Sequence, residues 1–457
     1  MLLTVATLWS CDNFLDVEPK GKAIPSTVED YDLMLQYTSF GLKNAVYMDP
    51  DVYIPADALL LRTYDLSAYM WSANQYRMNE SDGDWDGAYQ TLYYCNQIIE
   101  MIDGASSDSG DEYQRRRIKG QAYAQRANIY FWLVNMYAKH YDALTMDTDL
   151  AVPMVVKNDL TQKLPRSTVA EIYALIESDL EIARDLVPET EDIKKNFRAS
   201  KVSVDALLAK VELFKGNFTT ALTYANSVID AWGENFNDLN MFTSHDDYMN
   251  SFSPLLMSYG NPEFIWHTRV DVYPDTGTEL GAIYLSDELD DLYIDNDLRY
   301  EFWTRGLDQN GNFYPENSRR FVNWYDKCMT ASIPEMFLIR AECYSRSGNS
   351  GNVAKAVQDV NTLRKYRLKN GTSYELSASS LSDALNIVKQ ERRREFATTG
   401  LNWFDLRRYQ AYGDPVDTYS RIVEGESYTL APGSNRYIMA IPEFTRAYNP
   451  LLEQNPR

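Results

Sequence analysis

The sequence predicts a mainly α-helical protein in which helical hairpins form a scaffold and an irregular, loop-rich lobe lies on it. Two observations carry this prediction. Long stretches place small and large apolar residues at helical spacing, which is typical of amphipathic helices that pack together. Between about residues 231 and 330 this periodicity is lost, and Asn, Asp, Pro, Gly, Tyr and Trp become frequent. Because loops on a rigid scaffold commonly carry binding residues, the lobe is a candidate binding region.

Two segments follow the same plan of a helix, a Gly-Asn turn and a second helix. The first is ALLAKVELFKGNFTTALTYANSVI at 206–229, in which Gly216 opens the turn. The second is FLIRAECYSRSGNSGNVAKAVQDVNTLR at 337–364, in which Gly348 has the same place. Alanines that let paired helices approach closely, with a glycine that ends the first helix, are typical of the tetratricopeptide design.

A shorter repeat supports this interpretation: RANIY at 126–130 recurs as RAECY at 340–344. WDGAYQTLYYCNQIIEMI and STVAEIYALIESDLEIARDLV are further helices of the same kind. Unrelated amphipathic helices that share alanines are the alternative. The predicted regions are helical repeats at about 84–230 and 333–368, the loop-rich lobe at about 231–330, and a C-terminal region at 381–457.

The chain begins with an uncharged apolar stretch, LLTVATLWS, that ends at Cys11 and is followed by Asp12. A transmembrane helix needs about 20 apolar residues, so this stretch resembles the apolar core of a secretory signal instead. Since the first cation is Lys20, residues 1–10 would be the remainder of a longer leader. A buried N-terminal strand or helix is the alternative.

The tetrapeptide LWSC that ends at Cys11 resembles a lipobox, the site at which bacteria acylate a cysteine, although Trp9 is larger than the residue usual there. Each buried CH₂ group contributes about 0.8 kcal/mol to membrane binding, and stable anchoring needs more than one chain. A multiply acylated Cys11 would therefore hold the protein on a membrane. We expect residues 11–457 to form one lipid-anchored domain.

The charge of the chain limits its partners. Lys and Arg number 44 against 66 Asp and Glu, which gives a net charge of −22 in 457 residues. Such a charge repels phosphate backbones and anionic headgroups, so nucleic-acid binding is not expected. Neutral ligands are the natural candidates.

The cysteines and histidines suggest neither a catalytic site nor a metal site, and we expect no cofactor. With Cys11 acylated, Cys95, Cys328 and Cys343 remain, without zinc-like spacing. We expect them to be buried free thiols, with a Cys328–Cys343 disulfide as the alternative. The three histidines are widely scattered.

Two motifs have a functional and a structural interpretation. DGDWDG at 82–87 matches the first half of a calcium loop, but the twelfth position, where a bidentate glutamate is needed, is Tyr93. A solvated cap for a helix that begins near Ala88 is the preferred interpretation. ERRRE at 391–395 resembles a basic patch, but its helical setting favours internal ion pairs.

Four stretches occur in the order expected for one family. Cys11 is followed by NFLDVEP, then come SDELDDLYIDNDLRYEF at 286–302 and VKQERRREFATTGLNWFDLRRY at 388–409, and the chain closes with IPEFTRAYNPLLEQNP. In these features the chain resembles the SusD/RagB family, the surface glycan-binding lipoproteins of Bacteroidetes. The resemblance implies four tetratricopeptide-like hairpins that support an irregular lobe, as in a SusD-like fold.

The resemblance also implies a function. Such proteins sit on the cell surface, anchored by lipid to the outer membrane, and carry no catalysis. They capture a neutral oligosaccharide or polysaccharide and deliver it to a SusC-like, TonB-dependent transporter. The alternatives are a surface glycoside hydrolase, since two suitably spaced carboxylates would suffice, and a tetratricopeptide scaffold that binds proteins.

Sugar binding directs attention to exposed aromatic rings beside amides, because rings stack on C–H faces and amides bond to hydroxyls. One candidate is the stretch YDLSAYMWSANQY, where the family often places a stacking tryptophan. Its candidate residues are Tyr69, Trp71, Asn74 and Gln75. In the lobe the candidates are Tyr273 and Tyr284, followed by Trp303 and Trp324. Core packing is the alternative for each ring, and it is the expectation for Trp266, Trp403 and Phe404.

Overall fold

The computed structural model of the protein describes most of the chain from residue 25 to its C-terminus. The described residues are 25–36, 39–54, 63–106, 112–159, 161–244, 247–248, 260–271, 283–305, 321–322, 328 and 330–457. The predicted leader and Cys11 lie outside the described residues, as do Tyr273 and Trp324.

Helices dominate the described residues. In chain order they are α1 (Val28–Gln36), α2 (Lys43–Met48), α3 (Thr63–Tyr69), α4 (Gly83–Met101), α5 (Glu112–Tyr137), α6 (Val169–Leu186), α7 (Lys201–Phe214), α8 (Phe218–Trp232), α9 (Asp287–Asp290), α10 (Leu298–Phe302), α11 (Ile333–Ser345), α12 (Val353–Lys365), α13 (Leu381–Glu395), α14 (Leu401–Ala411) and α15 (Glu443–Tyr448). Within these described stretches, none of the helices combines the length and the apolar character that crossing a membrane requires.

The strands are short and form small separate sheets. They are β1 (Ser39–Gly41), β2 (Val52–Tyr53), β3 (Phe264–Trp266), β4 (Arg269–Asp271), β5 (Tyr284–Leu285), β6 (Thr304–Arg305), β7 (Phe321–Val322), β8 (Ala331–Ser332), β9 (Tyr419–Val423) and β10 (Glu426–Leu430). One sheet has four strands in the order β2-β5-β7-β6, and the others are the pairs β1-β4, β3-β8 and β9-β10. The described helices and strands between 233 and 330 are only two to five residues long, in keeping with the predicted irregular lobe.

The longer helices pack one on the next, in chain order, as helical hairpins do. α4 packs on α5, α5 on α6, α6 on α7 and α7 on α8. α8 then packs on α11, which contacts both α12 and α13, so the two groups of helices on either side of the lobe form one stack. Both predicted turns are confirmed, because Gly216 and Gly348 have left-handed φ angles of 78° and 68°, a conformation that costs glycine nothing.

The pentapeptide RANIY contributes a specific contact to this stack. Arg126 on α5 donates from Nε and Nη2 to the two carboxylate oxygens of Asp179 on α6, each at 2.7 Å. Its Nη1 donates to Oδ1 of Asn96 on α4 at 2.9 Å. One guanidinium therefore joins three consecutive helices, in the bidentate geometry that suits arginine and not lysine.

The related pentapeptide RAECY makes the same arrangement elsewhere in the stack. Arg340 on α11 donates to both oxygens of Asp359 on α12, at 2.9 and 2.7 Å. It also donates to Oδ1 of Asn226 on α8 at 3.3 Å. The recurrence seen in the sequence is thus a recurrence of one arginine clamp, with asparagine on the helix that precedes it in the stack and aspartate on the one that follows.

The ERRRE motif on α13 is a buried ion-pair network, as its helical setting predicts. Glu391 accepts from Arg394 and from Arg299, each at 2.7 Å, and Glu395 accepts from Arg299 at 2.9 Å. Burial alone would raise the pKa of Glu391, but the surrounding guanidiniums bring it well below its usual value. Arg299 belongs to the stretch SDELDDLYIDNDLRYEF, so two of the family-like stretches are joined to each other by charge.

The motif DGDWDG caps a helix, but two details of the prediction are wrong. α4 begins at Gly83 and not near Ala88, and the capping residue Asp82 is fully buried, not solvated. Asp82 accepts from the main-chain N–H of Asp84 at 2.9 Å and from the Tyr137 hydroxyl at 2.7 Å. Its carboxylate oxygens are therefore occupied by donors of the chain itself.

The core assignments made from the sequence are confirmed. The aromatic residues expected there are at most 1% exposed: Trp266, Trp403 and Phe404. Three cysteines are buried free thiols, as expected: Cys95, Cys328 and Cys343. The alternative disulfide between Cys328 and Cys343 is therefore wrong. Burial raises the pKa of the Cys95 and Cys328 thiols to about 12, which makes them unreactive.

Candidate functional site

The segment predicted to present Trp71 to a ligand is held inside the protein. Trp71 follows directly after the turn that ends α3, has a left-handed φ of 51°, and is 0% exposed. Its Nε1–H donates to the carbonyl of Met48 at 2.8 Å. A left-handed conformation is unusual for a bulky residue and persists only where the surroundings fix it.

Arg421, on β9 near the far end of the chain, supplies those surroundings. Its guanidinium carbon lies 4.2 Å from the centre of the Trp71 ring and 4.0 Å from that of Tyr69. Its N–H groups donate to main-chain carbonyls of the N-terminal segment: Tyr47 at 2.7 Å, Tyr69 at 2.5 Å, Val52 at 3.2 Å, and Asp49. Burial lowers the pKa of Arg421 to about 10, so it remains a cation at neutral pH.

The other residues of this segment divide between the interior and the surface. Gln75 is 2% exposed and accepts from the main-chain N–H of Ala440 at 2.6 Å, whereas Asn74 is exposed. The expectation that Tyr69, Trp71 and Gln75 form an exposed arc is therefore wrong. The segment is polar enough for the surface, but main-chain partners from distant parts of the chain satisfy its polar groups.

In the lobe, Tyr284 lies on β5 and pairs with Tyr53 on β2. Both rings are half-buried, and their centres are 6.4 Å apart in an edge-to-face arrangement. On its other side Tyr284 pairs with Phe321 on β7. Tyr284 is thus placed in a sheet that joins the lobe to the N-terminal part of the chain.

The two candidate regions meet at β2. The hydroxyl of Tyr69 accepts from the main-chain N–H of Ile54 at 3.0 Å, and Ile54 directly follows the strand that carries Tyr53. The 69–75 segment and Tyr284 therefore flank the same two-residue strand. Sequence reasoning missed Tyr53, because a strand this short gives no periodic signal.

Of the remaining lobe candidates, Trp303 lies in the interior. It is 6% exposed, and the guanidinium carbon of Arg367 is 5.3 Å from its ring centre. It packs in a small cluster with Leu239, Tyr248, Leu298 and Phe302. The expectation that Trp303 is available for stacking is wrong. Tyr273 and Trp324 lie outside the described residues, so their positions remain predictions.

Two acids lie directly before β2. Asp49 is buried, and burial together with the neighbouring Asp51 raises its pKa to about 7. Asn402 on α14 donates to Asp49 Oδ1 at 2.9 Å, and Arg393 on α13 pairs with Asp51 at 2.5 Å. Helices α13 and α14 therefore hold the residues just before β2 in place through polar contacts. Among the described residues, no group of three or more His, Cys, Asp or Glu side chains has an arrangement that would hold a metal ion.

Comparison with known proteins identifies the family to which the chain belongs. Residues 13–213 match a family model described as "Starch-binding associating with outer membrane", and residues 333–456 match the model of the SusD family. The chain is therefore a SusD-like protein. It belongs to the SusD/RagB family, as its four ordered stretches suggested.

Solved structures show the same fold. A SusD superfamily protein from Bacteroides thetaiotaomicron aligns with a TM-score of 0.71 at 20% identity, covering 94% of this chain and 100% of that one. A putative sugar binding protein from Bacteroides vulgatus aligns with a TM-score of 0.71 at 21% identity, over 95% and 99%.

Surface glycan-binding protein A from Bacteroides uniformis aligns with a TM-score of 0.66 at 17% identity, over 94% and 99%. No match is found among curated protein sequences. The solved structures confirm the mainly helical SusD-like fold over nearly the whole chain.

Proposed function

We propose that this protein is a non-catalytic, lipid-anchored surface protein that binds a neutral glycan and delivers it to a SusC-like, TonB-dependent transporter. The observation that carries the proposal is the fold. The structural alignment with a putative sugar binding protein covers 95% of this chain and 99% of that protein. The net charge of −22 is in keeping with a neutral ligand. Acylation of Cys11 would place the protein at the outer membrane.

We place the glycan contact at the sheet where β2 and β5 pair. Tyr53 and Tyr284 are neighbouring aromatic residues that are only half-buried, and although their rings meet edge to face, either ring could stack on a sugar. Asn74 is exposed and supplies an amide, and Tyr273 is proposed to extend the same surface. Trp71 acts here as a positioning residue, because its buried ring fixes the turn that leads to Asn74.

A polysaccharide panel tests this function against hydrolysis. Purified protein is run on affinity gels that contain starch, xylan, mannan or laminarin, and each polysaccharide is also incubated with the protein and assayed for new reducing ends. We expect retardation on at least one gel without release of reducing ends. Release above background would identify a glycoside hydrolase, and binding only to a protein partner would identify a protein-interaction scaffold.

The transporter is tested separately by purification from the native host in mild detergent. We expect a TonB-dependent transporter to co-purify with the protein. Repeated recovery of the protein without such a transporter would remove that part of the proposal and leave glycan binding unaffected.

A further inference from the structure

A cleft of about 780 Å³ lies between α12 and the segment 374–379, and none of its lining residues belongs to the strands that carry Tyr53 and Tyr284. Its volume falls in the range of roughly 300–1,000 Å³ that is common for small-molecule sites. Helix side chains form one wall and the irregular segment forms the other.

The two walls are fixed relative to each other by side-chain contacts to the main chain. Asn361 donates to the carbonyl of Leu376 at 3.0 Å and accepts from its N–H at 2.8 Å. Arg364 donates to the carbonyl of Tyr374 at 2.9 Å. The cleft is therefore formed before any ligand arrives, which reduces the entropy lost on binding.

The segment that forms the second wall has a regular pattern of exposure. From 371 to 380, exposed residues alternate with half-buried ones. Leu376 and Ala378 are on the inner side and pack near Val357 of α12. Glu375 and Ser377 are exposed and belong to the lining of the cleft.

The lining suits one class of ligand. Val357 is buried and gives the cleft an apolar floor, while Gln358 on the helix and Ser377 on the segment add an amide and a hydroxyl. The Thr362 hydroxyl donates to the Gln358 carbonyl at 2.9 Å and can still accept from a ligand. The charged lining residues are of both signs, so the cleft does not select an ion: Glu234, Lys365 and Glu375. An apolar floor bordered by neutral hydrogen-bonding groups matches the C–H faces and hydroxyls of a saccharide.

We propose that this cleft is a second binding site for a neutral oligosaccharide, separate from the Tyr53–Tyr284 surface. The choice of a saccharide rests in part on the proposed function. A second site on the same chain increases the effective concentration of a long glycan at the first.

Methyl NMR of the full-length protein locates the binding directly. The probes are maltoheptaose, xylohexaose, mannohexaose and laminarihexaose, each added to millimolar concentration. We expect at least one of them to shift the methyl resonances of Val357 and Leu376. Titration calorimetry with that probe should give two sites per chain.

Matched variants separate the two sites. The double variant Gln358→Ala and Thr362→Ala should keep α12 helical, because alanine is a good helix former. It should weaken binding at the cleft roughly tenfold, which corresponds to about 1.4 kcal/mol. Gln90→Ala, the same change at an exposed position of α4, should leave both sites unchanged. Tyr284→Ala should leave the cleft shifts in place.

Three results would overturn the proposal, and they differ in what they imply. Binding of a probe with no shift of the Val357 and Leu376 methyls removes the second site and leaves the proposed function intact. Absence of binding by every probe removes both. Shifts of these methyls by a tryptic digest of casein, but by no saccharide, would assign the cleft to polypeptides instead.

Discussion

The guanidinium of Arg421 stacks on the ring of Trp71, with 4.2 Å between the guanidinium carbon and the ring centre. A cation over an aromatic face is attracted by the ring quadrupole, and the attraction is stronger when both groups are desolvated, as these two are. Arg421 also binds the main chain on both sides of β2. The contact therefore holds in place the strand that carries Tyr53, one of the residues proposed to contact glycan.

We predict that Tyr284→Ala weakens glycan binding roughly tenfold, because loss of one stacked ring worth about 1.4 kcal/mol has that effect. Calorimetric titration with the preferred oligosaccharide measures the change. Tyr448→Ala, at a tyrosine that is 67% exposed on α15, is the matched control and should bind as the wild type does. Equal affinities of the two variants would move the site away from β5.

We predict that Trp71→Ala lowers both the free energy of unfolding and the affinity for glycan. Removal of a buried tryptophan costs about 3–5 kcal/mol of stability. If Trp71 acts by positioning Asn74, the double variant with Asn74→Ala should bind no more weakly than Trp71→Ala alone. Unchanged affinity in a folded Trp71→Ala protein would assign this residue to packing only.

We predict that Cys11→Ala releases the protein from membranes without a change in its fold. The acyl chains would be the only strong membrane attachment, since stable anchoring by lipid needs more than one chain. Fractionation of cells that lack the transporter measures the effect, with circular dichroism as the check on folding. Continued sedimentation of the variant with outer membranes would contradict lipid anchoring at Cys11.

Removal of Arg126 alone from the arginine clamp should lower the free energy of unfolding strongly. Arg126→Met leaves the carboxylate of Asp179 buried without its partner, which costs about 3–5 kcal/mol. The double variant with Asp179→Leu should be less destabilised than the sum of the single variants. Lys201→Ala, which breaks an ion pair with the exposed Glu189, should change stability by less than about 1 kcal/mol. Denaturant unfolding gives these free energies.

Stability should also depend on the ionisation of Asp49. Its folded-state pKa of about 7 lies above the value of 3.8 for an exposed aspartate. The protonated form is therefore favoured by folding, and its contribution is complete below about pH 4 and is lost as the pH rises through about 7. Asp49→Asn should flatten the pH dependence of the unfolding free energy over this range, by on the order of 1.4 kcal/mol for each unit of the pKa difference. The same slope in both proteins would contradict this assignment.

The sequence predicted the scaffold better than the site, for physical reasons. A helical hairpin can be predicted from its local sequence, because apolar residues recur at helical spacing and a glycine such as Gly216 takes the left-handed φ of the turn. The buried Trp71 ring is covered on one face by Arg421, which is 350 residues further along the chain. Pairing of Tyr53 with Tyr284 depends on two-residue strands from separate regions. Such long-range contacts leave no local pattern.

The clamping of the N-terminal segment by Arg421 has a consequence for how the protein resists proteolysis. A linear stack of helices frays from its ends, because each repeat contacts only its neighbours. In this protein C-terminal residues bind a part of the chain far before them: Arg421 binds the carbonyls of Tyr47 and Val52, and Arg457 binds those of Ser72 and Ala73. Because these contacts join two distant parts of the chain, we expect residues 47–73 and the C-terminal part to unfold together, so that proteolytic cleavage within either part requires their cooperative unfolding.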